Sequence, residues 1–382
     1  MLKLMDTWRN PRLTGRILEL DGIRGLAILL VLIWHYLVNS VQDIAHGSWQ
    51  AYVLFPLRIT WSGVDLFFVL SGFLIGGILI DEKYSKNYYR TFYWRRIYRI
   101  FPLYFLWLSA FLAGLYLVKS NEGGALQEIF NAELPVWSYA LFLQNSMMAW
   151  YQSFGPKWMG ITWSLAVEEQ FYLLLPFLVR NLTHRGIFWL ALSSILLAPA
   201  VRSILWAFGN EFFGPYVLLP SRADNFGFGI LVALVCRNER LWYWFAARRL
   251  HIYVCLLILG GGFVFLMKHE TILYTIGLTW IAIFYALLLL LTVLNLGGVE
   301  GAVFKNQILV KLGTLAYGIY IVHEGVRALL RFAVLGGETS VSNVLSLSLS
   351  ALSFIIVFAF AMLSWRFMER PLIRRAQSLY RY

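Results

Sequence analysis

Arg24 and His35 lie eleven positions apart in one apolar stretch. At about 100° per residue, eleven helical steps return to within about 20° of the same face with a rise of about 16 Å. Both side chains are therefore expected to look into one groove at different depths. That separation suits a long thin cofactor with a phosphate at one end and its reactive group at the other. Two carboxylates on other apolar stretches fall at a similar level: counted from the outer ends of their spans, His35 lies about 6 Å deep, Asp65 about 9 Å and Glu168 about 10 Å. A carboxylate on one imidazole nitrogen fixes the tautomer and leaves the other nitrogen free to take a proton, so His35 with Asp65 and Glu168 reads as a general-base centre. The competing reading is a buried His and Asp that satisfy each other's hydrogen bonds.

A second arrangement is basic. In Tyr93-Trp94-Arg95-Arg96-Ile97-Tyr98-Arg99 the pair Arg96 and Arg99 share a helix face at i,i+3, a spacing that lets two guanidiniums clamp a phosphate with forked hydrogen bonds. Simple topogenic charge explains the same residues less specifically. Further ionisable groups fall within or at the ends of apolar segments: Glu169, Arg202, Arg222, Asp224, His323, Glu324, Arg327 and Arg331. Such groups cost a few kcal/mol each at bilayer depth and usually mark a substrate path, a relay or a catalytic centre. His323, Glu324 and Arg327 are read as a structural set, because Arg327 shares a helix face with both. The six histidines show no i,i+4 pair and no HExxH pattern, so no metal is expected. Cys236 and Cys255 are too few for a disulfide framework.

The elements that must position these groups are membrane helices. Of 382 residues 60% are hydrophobic and 14% charged, against about 25% charged in a soluble domain, and the mean hydropathy is +0.67. An ordinary soluble enzyme and a nucleic-acid binder are excluded. The expected fold is an all-α polytopic bundle of about ten spans, near 20–39, 59–80, 100–118, 161–179, 187–207, 220–236, 251–267, 272–294, 309–333 and 345–367. The stretch Val136–Trp150 is short and carries Gln144 and Asn145, so a re-entrant or interfacial element is expected within the loop 119–160. This divides the chain into a basic cytoplasmic arm (1–19), a membrane domain (20–367) and a basic tail (368–382). Sorted by loop, 23 basic residues fall on the face holding the N-terminus and only Arg58, Lys119, Lys157 and Lys268 on the other. By the positive-inside rule both termini are cytoplasmic, and most of the net charge of +12 reports topology. The arm lacks a cleavable signal pattern and reads as retained.

Taken together the motifs resemble the acyltransferase family 3 integral membrane proteins. The matching segments are Asp21-Gly22-Ile23-Arg24-Gly25 through His35, Gly63-Val64-Asp65 through Ile75, and Arg96-Ile97-Tyr98-Arg99 with Pro102. They continue with Trp163-Ser164-Leu165, Glu168-Glu169-Gln170-Phe171-Tyr172 and Pro176, Arg222 with Asp224 and Gly229, Tyr317 through His323, and Glu369-Arg370-Pro371. The resemblance implies a ten-span bundle in the bacterial inner membrane. It would take an acyl group, usually acetyl, from acyl-CoA on the cytoplasmic side and deliver it to a hydroxyl of an extracytoplasmic or lipid-linked saccharide. It implies that His35 is the catalytic histidine, that Arg24, Arg96 and Arg99 meet the donor, and that Glu168 is a relay or orienting group. Trp163, Ser164, Glu169, Arg222 and Asp224 are expected on the substrate side. Only about fifteen residues follow the last span, so the expectation is a stand-alone form lacking the family's extracytoplasmic hydrolase-like domain.

The transfer itself stays open between direct attack, with His35 as base, and an acyl-His35 intermediate. The acceptor and the oligomeric state are not legible. The competing class is a secondary transporter or flippase for a saccharide or lipid-linked substrate, which also uses charges at the midplane. No internal repeat is visible, and a double-Arg clamp with one deep histidine is more than transport needs.

Overall fold

The computed structural model describes residues 15–39, 55–119, 125–336 and 344–382. Most of the expected basic arm (residues 1–14) lies outside the described residues, as does part of the loop 119–160. Every described element is helical, and no strand occurs among the described residues. The expectation of an all-α membrane protein therefore holds.

Eight helices are long and apolar enough to cross a bilayer: α1 (Leu18–Val38), α2 (Phe55–Asp81), α3 (Tyr88–Val118), α7 (His184–Ala207), α8 (Phe213–Val235), α9 (Arg249–Leu266), α10 (Glu270–Leu294) and the long segment Ser348–Leu379. That last segment comprises α12 (Val344–Ser364), a π turn over Trp365–Glu369, and α13 (Arg370–Leu379). The two remaining expected spans are also helices, α6 (Trp163–Asn181, 19 residues) and α11 (Gln307–Leu335, 29 residues). At 1.5 Å per residue they reach about 28 and 43 Å, enough for a hydrocarbon core of about 30 Å. They fall outside the apolar set because they carry Glu168, Glu169 and Arg180, and Lys311, Glu324, Arg327 and Arg331.

Between α3 and α6 the expected re-entrant or interfacial element is two short helices, α4 (Val136–Ala140) and α5 (Gln144–Tyr151), broken at Phe142, whose φ of 53° is left-handed. Neither is long enough to span. The buried Gln144 amide donates to the Thr162 carbonyl at 3.0 Å, and the Tyr104 hydroxyl donates to the Tyr139 carbonyl at 2.7 Å. These two donors thus find carbonyl acceptors inside the protein, as a low-dielectric surrounding favours, while the Gln144 Oε1 and the Tyr139 hydroxyl are buried without a hydrogen-bond partner among the described residues.

The chain forms two compact units. The first holds residues 1–31, 59–83 and 170–314; the second holds 32–58, 84–169 and 315–382. In the first unit α8 packs on α2, α7 and α10. The contact with α2 is glycine-mediated and reciprocal: a Cβ on Gly72 would come within 2.3 Å of the Phe226 carbonyl oxygen, and one on Gly229 within 2.1 Å of the Val69 carbonyl oxygen. Small residues let backbones close to this distance in lipid, where packing replaces the hydrophobic drive. In the second unit α13 lies on the start of α3, with Tyr380 stacked on Trp94 at 5.6 Å and its carbonyl taking two hydrogen bonds from Arg95. Trp107 and Trp158 stack at 3.9 Å, each indole N–H donating to the other's carbonyl.

Candidate functional site

His35 sits in a π-helical turn, Trp34–Val38, that ends α1. Such turns are rare and recur at functional positions. Tyr36 anchors the turn in the second unit: its hydroxyl donates to the His323 carbonyl at 3.2 Å and shares a hydrogen bond with Ser353 at 2.9 Å. His35 is thereby set against α11. Its ring lies edge-on to that of His323, with centroids 4.8 Å apart and planes at 74°. The ligating atoms of His35, His323 and Glu324 all fall within 4.8 Å of one another. Glu324 in turn holds Arg327 with both oxygens, at 2.6 and 3.0 Å. His323 is fully buried while His35 is half-buried, so His35 is the accessible member of the pair.

The sequence had set His323, Glu324 and Arg327 aside as a structural set. The ion pair Glu324–Arg327 is present as expected, yet the same three residues surround His35. One signal pointed there: Tyr317 through His323 belongs to the motif set, and Tyr320 and His323 share a helix face. The chain spacing of the histidines offers no metal pattern, but the fold gathers two imidazoles and a carboxylate, a donor set that metal chemistry also uses.

Other expected residues of the second unit fall on two more clusters. Ser164 meets the Tyr320 hydroxyl at 2.5 Å, and that hydroxyl donates to the Ile161 carbonyl at 3.0 Å, which ties the start of α6 to the helix bearing His323. Trp163 is buried next to it and Glu168 is half-buried one turn on. Glu169, expected on the substrate side, has Glu168 and then Arg96 as electrostatic neighbours. Arg99 has Glu369 and Tyr317 as neighbours of the same kind, and Glu369 accepts a hydrogen bond from Ser364 at 2.8 Å. The two guanidiniums of the expected clamp are each accompanied by a carboxylate.

The first unit holds the remaining expected residues. Arg24 pairs with Asp21 at 3.3 Å, and Asp21 also takes Arg16 at 2.7 Å. The adjoining Gly22 and Gly25 pack against the Phe304 and Leu309 carbonyls, approaches that any Cβ would block. Asp65 is bound by Arg222 at 2.6 Å, and Asp224 by Arg202 at 2.9 Å; all four side chains are fully buried. Thr279 donates to Asp224 at 2.6 Å, and the Arg222 guanidinium lies over the rings of Phe68 and Tyr216. Asp65, which the sequence set level with His35, is thus engaged by a guanidinium of its own unit. The carboxylate gathered beside His35 in the second unit is Glu324.

The family described as an acyltransferase domain, acyltransferase family 3, matches residues 17–366. The chain belongs to this family. Among curated relatives, YrhL of Bacillus subtilis (strain 168) is 28% identical over 379 residues, covering 92% of this chain and 54% of its own length. The peptidoglycan O-acetyltransferase OatA of Listeria monocytogenes is 26% identical over 375 residues, covering 93% of this chain and 55% of its own. The O-acetyltransferase OatA of Staphylococcus aureus (strain NCTC 8325 / PS 47) is 26% identical over 406 residues, covering 98% and 59%. The chain therefore spans little more than half the length of these relatives. No solved structure matches.

Proposed function

We propose that this acyltransferase-family protein moves an acetyl group from acetyl-CoA to a hydroxyl of a cell-envelope saccharide, with His35 as the base or acyl relay. The observation that carries this reading is the half-buried His35 held against His323 and Glu324 within 4.8 Å. An imidazole there can take the acceptor's proton, and a paired carboxylate nearby steadies the charge that forms. The names of the Bacillus and Listeria relatives favour peptidoglycan as the acceptor. Arg96 and Arg99 supply the charge for coenzyme A's phosphates, and displacing Glu169 and Glu369 from them is part of donor binding; Arg24, in the first unit, is read separately as a donor-path residue. Glu168, Ser164 and Trp163 orient groups around the helix bearing His323. Asp65, Arg222 and Asp224 form a buried ionic framework within the first unit. The basic loops favour a plasma-membrane protein with both termini cytoplasmic, so that donor and acceptor enter from opposite faces.

The test is acetyl transfer in proteoliposomes, with labelled acetyl-CoA and muropeptide or other saccharide acceptors. The expected result is label on the acceptor from the wild type and a loss of about a thousandfold in His35→Ala at unchanged thermal stability. Full transfer by a folded His35→Ala protein would overturn the assignment. Coenzyme A-independent passage of a saccharide, without label on it, would favour the transporter class.

A further inference from the structure

His323 is a buried imidazole whose hydrogen bonding is half complete. Its Nδ1 lies 2.7 Å from the Tyr320 carbonyl oxygen. A carbonyl only accepts, so Nδ1 carries the proton. In a neutral ring Nε2 is then a lone pair, and it is buried with no hydrogen-bond partner among the described residues. A buried acceptor left unmatched is disfavoured, so a donor is called for. The charges around it close without a second cation, because Glu324 spends both oxygens on Arg327. The ring beside it is His35, edge-on at 4.8 Å. Tyr36, the residue after His35, donates to the backbone carbonyl of His323 itself, so a single strut fixes the two histidines together.

We propose that His323 is the positioning residue of His35. Its Nε2 accepts the ring N–H of His35, which holds the lone pair of the other His35 nitrogen toward the reacting atoms. This rests on the reading of His35 as the base. In the direct form of that reaction the acceptor's O–H proton passes to the free His35 nitrogen while its oxygen bonds to the acyl carbon. The C–S bond breaks, and the departing thiolate takes that proton to become the coenzyme thiol. His323 keeps its Nδ1–H throughout. A carboxylate is the usual partner for a catalytic histidine; a neutral imidazole gives the same orientation without adding a charge to the membrane interior. Metal ligation fits the three groups less well, since ligand atoms around a tetrahedral zinc lie only about 3.3 Å apart and Glu324 is already shared with Arg327.

Two substitutions separate orientation from packing. His323→Gln sets an amide oxygen near the place of Nε2 and still accepts a hydrogen bond; His323→Leu fills similar volume and accepts none. In the proteoliposome assay the Gln variant is expected within about tenfold of wild-type kcat and the Leu variant about a hundredfold down, with KM for acetyl-CoA unchanged in both. Equal kcat in the two variants overturns the proposal. A second readout does not need acyl transfer: carbethoxylation of His35 by diethyl pyrocarbonate, followed by peptide mass spectrometry at fixed pH. It is expected to slow about tenfold in His323→Leu and little in His323→Gln; equal rates in all three proteins overturn the proposal. A wild type that transfers no acetyl while this series keeps its difference would sink the acyltransferase reading and leave the positioning role standing. Should the Leu variant fail to fold, His323→Met makes the same comparison. One equivalent of a transition metal in the purified wild type, lost in the Leu variant, would overturn the proposal in favour of a metal centre.

Discussion

The two units bury ionisable groups in different ways. In the first, Asp65 with Arg222 and Asp224 with Arg202 form two ion pairs among four fully buried side chains, so every charge has an opposite charge. In the second, Glu324 and Arg327 pair off likewise, but two imidazoles remain beside them, one half-exposed and one with an unmatched buried nitrogen. Both arrangements offset the cost of polarity in lipid. Among the described residues unmatched buried atoms remain in both, Asp65 Oδ2 with Arg222 Nε and Nη1 in the first unit and His323 Nε2 in the second, but the second also leaves imidazoles outside its ion pair. A closed set of ion pairs can hold helices in register, whereas a neutral imidazole that is not consumed by a pair can accept and release a proton.

The largest test of this contrast strikes the closed set. Arg222→Met strands Asp65 as a buried charge, and breaking one partner of such a pair costs about 3–5 kcal/mol. The variant is expected to lose most of its folded yield and thermal stability, and Asp65→Asn in the same chain should recover part of both. A stable Arg222→Met protein that has lost only acetyl transfer would move this cluster from framework to site.

A smaller effect sharpens the other end of the second unit. Arg96→Ala and Arg99→Ala each remove a charged hydrogen-bond donor worth about 1.5–3 kcal/mol, so coenzyme A binding by calorimetry should weaken roughly ten- to hundredfold per residue. Glu169→Gln, which relieves Arg96 of its neighbouring carboxylate, should strengthen binding by a few-fold. An unchanged dissociation constant in the double Arg variant would remove the clamp.

The smallest effect concerns the tie between α6 and the helix bearing His323. Ser164→Ala deletes the 2.5 Å contact with Tyr320, one neutral hydrogen bond of about 1 kcal/mol. A fall of a few-fold in kcat with a melting temperature within a few degrees of wild type is expected. A loss as large as that of His35→Ala would mean that Ser164 touches substrate.

Much of this was legible along the chain. Apolar runs fixed the helical class, the polar Gln144 and Asn145 marked the one apolar stretch that does not span, and the ordered motifs pointed to the family later matched over residues 17–366. The pairing Glu324–Arg327 followed from an i,i+3 spacing, because both ends of that contact lie on one helix. Depth counting from span ends was less informative. It drew His35 toward Asp65 on level alone, yet level says nothing about which way a side chain faces or which guanidinium claims it, and Arg222 lies 157 positions from Asp65. His323 was undervalued for another reason: Arg327, on the same helix face, accounted for it and Glu324 as a structural set, and the approach of His35 from another helix is not visible along the chain.

Sequence by itself determined the solvent of this protein, the helices and the residue types that carry its chemistry, since each depends on composition and on contacts within a few residues. Tertiary structure alone decided the partners. That Asp65 is neutralised by Arg222 and that His35 faces a second imidazole are contacts between helices distant in the chain. Such pairings are set by how helices rotate and slide to fill space and satisfy buried polar atoms together, a condition on the whole packing that no local stretch encodes.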